Sequence, residues 1–207
     1  MDQKVMYTLS YGLFVLSARR GEKDNGCITN TAIQVTAEPN RIAIAVNKAN
    51  YTHDMVLETG KFTLSVLSEE AKFDLFQRFG FQSGRTADKF AGFEEHTARD
   101  GAGVPYVTQG TSAWLSCQVV SATDLGTHTL FLADVLDGDV LSQAPSATYV
   151  YYQNNIKPKP AAQAPAAGGK KRWVCKVCGY VYEGESLPAD FICPLCKHPA
   201  SDFELLD

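Results

Sequence analysis

The stretch DNGCITNTAIQVTAEPNRIAIAVNKANYTHDMVLETG, residues 24–60, decides the fold class. Asp24-Asn25-Gly26 and Glu38-Pro39-Asn40 are turn signals, and residues 28–36 and 41–46 beside them mix β-branched with small or polar side chains, as strands do. Residues 52–58 have helical character, and Gly60 stops them. Working outward, strand-like runs recur at 11–17, 62–67, 114–121 and 129–135, with a second helical run at 69–79 stopped by Gly80. These strands are too many, and too rarely separated by helices, for a doubly wound α/β fold. The expectation is a mainly β protein, an antiparallel barrel with a few helices and no internal repeat.

The 207 residues, 45% of them apolar, suffice for one packed domain and a smaller companion. Lys+Arg 19 against Asp+Glu 23 gives a formal net charge of -4, which makes no field for a phosphate backbone, so nucleic acid is not an expected partner. Residues 6–18 are fairly apolar, yet they contain Thr, Ser and Gly, are too short to span a bilayer and run into Arg19-Arg20. Neither a signal peptide nor a membrane attachment is expected from them. The composition breaks at residues 157–171, KPKPAAQAPAAGGKK, which have no aromatic or large aliphatic side chain to bury. They read as a flexible linker between domains at residues 1–156 and 172–207. Extended, such a linker spans up to roughly 45 Å, and as a coil its ends lie about 20 Å apart.

Four of the 6 cysteines fall in two pairs, Cys175-Lys176-Val177-Cys178-Gly179 and Cys193-Pro194-Leu195-Cys196, with fourteen residues between the pairs. Two such knuckles make a tetrahedral site of four thiolates, which selects iron or zinc over hard cations; the thiolates alone do not choose between the two. Metal ligation rather than a disulfide framework implies a reducing, cytoplasmic setting. Cys27 and Cys117, isolated in apolar surroundings, read as core residues. Trp173, Tyr180, Tyr182, Phe191 and Phe203 crowd a segment too small to fold on an apolar core alone, so the metal must supply part of its folding energy. His198 stands beside a site that four cysteines already fill, and reads as a surface residue.

Cys-x-x-Cys-Gly-Tyr-x-Tyr, followed by Cys-Pro-Leu-Cys and Asp202-Phe203-Glu204, resembles rubredoxin across residues 173–204. The resemblance implies a single iron held by Cys175, Cys178, Cys193 and Cys196, with zinc the alternative. Two departures stand out: the loop between the knuckles is short, as in the tail of rubrerythrins, and Lys197 replaces the usual Gly of the second knuckle.

The larger domain signals more weakly. Residues 25–32 join a turn to amide and hydroxyl side chains that suit a phosphate or a polar ring edge, although a hairpin with polar outward positions explains them equally. Asn47-Lys48-Ala49-Asn50-Tyr51-Thr52-His53 places Lys, Thr and His where a strand leads into a helix, a place that favours anions; an ordinary helix start with a solvated lysine is the plainer reading. Together with Ser83-Gly84-Arg85, Asp88-Lys89-Phe90 and Gly126-Thr127-His128-Thr129-Leu130-Phe131, these segments resemble the flavin reductase-like family of FMN-binding split barrels over residues 11–152. The resemblance implies flavin contacts at Thr29, Asn30, Thr31 and Ala32, at Asn47, Lys48, Thr52 and His53, and at Arg85 and Lys89. It implies that His128 lies where the nicotinamide of NAD(P)H stacks, that FMN is the flavin with FAD the alternative, and that the protein is a homodimer.

The two resemblances in one chain are the layout of the high-molecular-weight rubredoxins of anaerobes. That layout implies an NAD(P)H-dependent oxidoreductase passing electrons through flavin to the iron site and on to a redox partner protein, such as a flavodiiron reductase of nitric oxide or dioxygen. The alternatives are a reductase that supplies free reduced flavin or reduces ferric chelates, and a non-catalytic flavin-binding adaptor with structural zinc. From Arg172 onward three basic residues face six acidic ones, a formal -3 before the metal is counted, which suits a positively charged docking partner.

Overall fold

A computed structural model of the chain describes residues 3–158, 171–176, 180–194 and 199–206. It divides into two compact units, Met1–Tyr152 and Gln153–Asp207.

The large unit is built from strands β1 (Phe14–Arg20), β2 (Lys23–Thr29), β3 (Ile33–Thr36) and β4 (Arg41–Asn47), helix α1 (Tyr51–Thr59), strand β5 (Lys61–Leu67) and helix α2 (Phe73–Gly80). Strands β6 (Thr97–Arg99), β7 (Pro105–Val107), β8 (Thr111–Asp124) and β9 (His128–Val140) complete it. Seven strands form one antiparallel sheet in the order β2-β1-β5-β8-β9-β4-β3, and β6 pairs with β7 separately. The first and last strands of that order, β2 and β3, are joined only by residues 30–32. Four peptide steps reach at most about 14 Å, so the sheet must curl until its ends nearly meet. Thr31 ties the seam, donating to the Ala45 carbonyl of β4 at 2.6 Å and accepting from the Ala45 N–H at 3.2 Å. The sequence-based expectation of a mainly β barrel with a few helices is met.

Alternation along β4 turns Ile42, Ile44 and Val46 inward, where they meet Leu16, Phe62, Leu64 and Phe131. Met55 and Val56 of α1 join the same core, as do Cys27 and Cys117. Each large side chain removed from water there contributes about 1.5–3 kcal/mol. Helix α1 ends as its sequence predicts, with Gly60 at φ 67 and its N–H on the Val56 carbonyl at 2.9 Å.

Three expected elements are corrected. Asp24-Asn25-Gly26 is not a turn but the middle of β2, paired with Arg19, Ala18 and Ser17; the chain turns earlier, at Gly21 with φ 59. Gly26 is there because a Cβ would stand 3.1 Å from the Phe79 ring and 3.2 Å from Ser17 Oγ. The run 28–36 is two strands, since Asn30, Thr31 and Ala32 leave the ladder at the seam. The second helix begins at Phe73 rather than 69, because the Ser68 and Glu69 N–H groups bond the Gly110 and Pro145 carbonyls instead of opening a helix. The short pair β6–β7 carried no sequence signal; Asp100 makes its turn, accepting from the Ala102 and Val104 N–H groups at 2.9 and 2.8 Å.

Among its described residues the small unit has three antiparallel strands, β10 (Lys171–Cys175), β11 (Val181–Gly184) and β12 (Phe203–Leu205), in the order β11-β10-β12. Strand β10 opens at Lys171, the last residue of the predicted linker, because Lys171 already pairs with Gly184. Most of that linker, residues 159–170, lies outside the described residues. Among the described residues, no helix is long and apolar enough to cross a membrane.

Candidate functional site

The seam of the barrel gathers much of the predicted flavin set. Thr29 and Thr31 hydroxyls lie 3.3 Å apart, both half-buried, and Ala32 is buried beside them. The Asn30 side chain is half-buried and has no hydrogen-bond partner among the described residues. Two residues along β4 from Ala45, Asn47 stands opposite His128 in the β4–β9 ladder. The Lys48 N–H bonds the Thr127 carbonyl at 3.0 Å, and its ammonium meets Asp124 at 2.6 Å, fastening the β8–β9 hairpin tip to the start of α1. The hydrogen bond from Lys48, the Gly126 N–H and the lysine charge hold the Asp124 carboxyl below its ordinary range. His128 is half-buried; its Nδ1 lies 2.9 Å from Thr127 Oγ1.

Helix α1 places its two predicted contacts inward. Thr52 is fully buried and accepts a hydrogen bond from Asn25 Nδ2 at 2.8 Å. His53 is buried with both ring nitrogens engaged, Nε2 with Thr129 Oγ1 at 2.8 Å and Nδ1 with Asp54 Oδ1 at 3.1 Å. Asp54 in turn accepts from Arg85 Nη2 at 2.7 Å. Burial alone would raise the Asp54 carboxyl, but hydrogen bonds from His53 and Arg85, with the Arg85 charge, hold it below its ordinary value.

Arg85 is exposed, on the loop after α2, and Gly84 beside it packs so closely on Asn25 that a Cβ would stand within van der Waals radii of the Asn25 amide. Lys89 is placed elsewhere than expected. It is buried and donates to the Gly26 and Phe79 carbonyls at 2.8 and 3.0 Å, so its ammonium joins β2 to α2 rather than facing a ligand. Desolvation pushes its pKa down, and the neighbouring Cys27 opposes that shift.

Sequence reasoning missed the positioning roles of Asn25, Asp54 and Asp124, which orient Thr52, His53 and Lys48. Asp54 was visible as the neighbour of His53; Asn25 and Asp124 were hidden because their partners are 27 and 76 residues away.

In the small unit Cys175 and Cys193 are buried, 1% and 0% exposed. The Cys175 N–H bonds the Tyr180 carbonyl and the Lys176 N–H bonds the Asp202 carbonyl, both at 2.8 Å, anchoring the end of β10. Tyr182 and Phe203 flank Phe191 at ring distances of 4.7 and 5.4 Å, an aromatic cluster within the same small unit. The other two predicted ligands, Cys178 and Cys196, lie outside the described residues, as do Gly179 and His198.

Comparison with known proteins agrees with both halves. Residues 6–159 match the flavin reductase like domain, and residues 173–204 match the rubrerythrin, rubredoxin-like domain. The chain is 34% identical over 229 residues to the high molecular weight rubredoxin of Moorella thermoacetica, covering 99% of each. It is 40% identical over 152 residues to a ferric-chelate reductase (NAD(P)H) of Archaeoglobus fulgidus, covering 73% of this chain and 89% of that one. Among solved structures, the NADH:FAD oxidoreductase of Streptomyces globisporus C-1027 shares the fold at a TM-score of 0.61 and 21% identity, covering 70% of this chain and 85% of that one. The chain therefore belongs to the flavin reductase-like family, joined to a rubredoxin-like domain as in the high molecular weight rubredoxin of Moorella thermoacetica.

Proposed function

We propose that the protein is an oxidoreductase that takes electrons from NAD(P)H at a flavin, FMN by this reading, passes them to iron held by Cys175, Cys178, Cys193 and Cys196, and delivers them to a partner protein such as a flavodiiron reductase. The observation that carries the reading is the pairing, in one chain, of a flavin reductase-like barrel with a buried thiol pair in a rubredoxin-like unit. A relative similar over both units is named a rubredoxin, and another, similar over the barrel, is named a ferric-chelate reductase. Both names support electron transfer involving iron.

The chemistry of the described residues suits both groups. At the seam, the Asn30 amide and the Thr29 hydroxyl offer donors and acceptors suited to a flavin's polar edge, and Thr31, bonded to Ala45, holds the seam beside them. His53 and Thr52, engaged inside the protein, hold α1 and the β8–β9 tip in place around them. Soft thiols, two of them buried at Cys175 and Cys193, suit iron, with zinc the competing metal. A bound flavin supplies the exchange between a two-electron nicotinamide donor and a one-electron iron. The same reading places the domains at residues 1–156 and 172–207 with a linker at 157–171, and makes the protein a cytoplasmic homodimer.

Anaerobic mixing with NADH tests the proposal: flavin absorption falls first and the iron–thiolate bands follow. In Cys178→Ser the first phase persists and the second is absent, while His128→Ala slows the first phase with flavin still bound. A wild-type protein without iron–thiolate absorption contradicts the electron path. A second reading, reduction of ferric chelates, is favoured by the barrel-only match to the ferric-chelate reductase; it requires Cys178→Ser to keep full chelate reduction.

A further inference from the structure

A chain of side chains runs from the loop after α2 to the first residues of β9. Arg85 Nη2 donates to Asp54 Oδ2 at 2.7 Å, Asp54 Oδ1 lies 3.1 Å from His53 Nδ1, and His53 Nε2 lies 2.8 Å from Thr129 Oγ1. Adjacent residues of a helix do not ordinarily face each other, so the contact between His53 and Asp54 is a particular arrangement and not a by-product of α1. The Phe131 ring closes on the imidazole at a centroid distance of 5.8 Å.

This chain has a direction. The Asp54 carboxyl is held below its ordinary value and so is ionised at neutral pH; an ionised carboxylate only accepts, and His53 Nδ1 must carry the proton between them. Thr129 is buried, and among the described residues the bond to His53 is the one hydrogen bond of its hydroxyl. Its proton therefore goes to Nε2. An imidazolium, donating from both nitrogens, would leave that buried hydroxyl proton without an acceptor, which is the costly arrangement. The Nδ1–H tautomer satisfies Asp54, His53 and Thr129 together.

The inner end of the chain lies where backbone pairing runs out. His128 is the first residue of β9 and Asn47 the last of β4, and they face each other in the ladder. Thr129 follows His128, and successive strand residues emerge on opposite sides, so a hydroxyl fixed inward sets the side on which His128 emerges. We propose that Asp54, His53 and Thr129 are a positioning relay for His128. Asp54 selects the tautomer of His53, and His53, through Thr129, fixes the start of β9. For what His128 meets, this rests on the electron-transfer reading above; the relay itself stands on the hydrogen bonds.

The relay is tested first without turnover, by the imidazole ¹⁵N shifts of the full-length protein. His53 should show a protonated Nδ1 and an unprotonated Nε2, and Asp54→Ala should move the proton toward Nε2, since the partner of one ring nitrogen decides which carries it. The second arm is anaerobic flavin reduction by NADH. Thr129→Val, which keeps the branched shape and loses the hydroxyl, should slow it about three- to tenfold, the scale of one buried hydrogen bond, and Thr129→Ser should restore most of the rate. In a His128→Ala background Thr129→Val should slow it no further, because the group being positioned is gone, whereas a merely structural weakening would add. A proton on Nε2 in the wild type, the same tautomer in wild type and Asp54→Ala, or additive effects of Thr129→Val and His128→Ala overturns the relay. An unchanged rate in His128→Ala, with the tautomers as expected, overturns instead the nicotinamide position given to His128.

Discussion

The two units solve the problem of staying folded in opposite ways. In the barrel, apolar side chains from β1, β2, β4, β5, β8, β9 and α1 bury one another, and no single residue dominates. In the small unit the buried apolar residues described are Val174, Cys175, Cys193 and Phe203, half of them thiols. Stability that is spread over a core in one unit is concentrated on prospective metal ligands in the other. A perturbation that one unit absorbs should therefore abolish the other.

The largest effect should come from the metal. Structural metal binding by small thiolate modules contributes about 10–16 kcal/mol of apparent free energy at neutral pH, far more than three short strands can replace. Removing the metal with a chelator, or making Cys193→Ser, should erase the dispersed amide signals of the small unit while the barrel's remain. A module that stays ordered without metal would break the contrast. A smaller effect, about 3–5 kcal/mol, is expected from Phe131→Ala, which opens a cavity at a fully buried position on β9, opposite Ile44 of β4. Denaturant unfolding followed in the barrel should shift by that amount, while the metal-centred absorption of the folded protein stays unchanged.

The same contrast governs what could be read from the sequence. Four cysteines at fixed spacing announce a metal module because ligand chemistry is local. In the barrel, β4, β5 and α1 were legible for a similar reason: alternation and a terminal Gly60 are local signals. What failed was decided by distant partners. Asp24-Asn25-Gly26 has the composition of a turn, yet Asn25 is spent on Thr52, and Gly26 makes room for Phe79. Lys89 looked like a ligand-facing cation, and its carbonyl partners on β2 and α2 could not be seen from its neighbours in sequence.

The smallest expected effect is in acid, where the barrel's own ties can be loosened one at a time. Asp54 and Asp124 both have carboxyls held below their ordinary value in the folded protein, by His53 and Arg85 against the opposing cost of burial in one case and chiefly by Lys48 in the other. A folded pKa below the unfolded one, about 3.9 for Asp, means that the unfolded chain takes up a proton first as pH falls. Their contribution to stability is therefore present above that value and is lost as pH falls through the folded pKa. Each tie is exposed or half-exposed, so solvent keeps the effect small. The Asp54→Asn/Asp124→Asn variant should lose less Tm than the wild type between about pH 6 and about pH 3, because two of the titrating groups are gone. The measurement belongs on near-ultraviolet dichroism of the barrel, with metal loss from the small unit followed separately by absorption. Identical losses in the two proteins would show that the carboxylate ties at α1 and at the β8–β9 tip add nothing to the barrel's stability, leaving its spread-out apolar core as the whole of the contrast with the metal module.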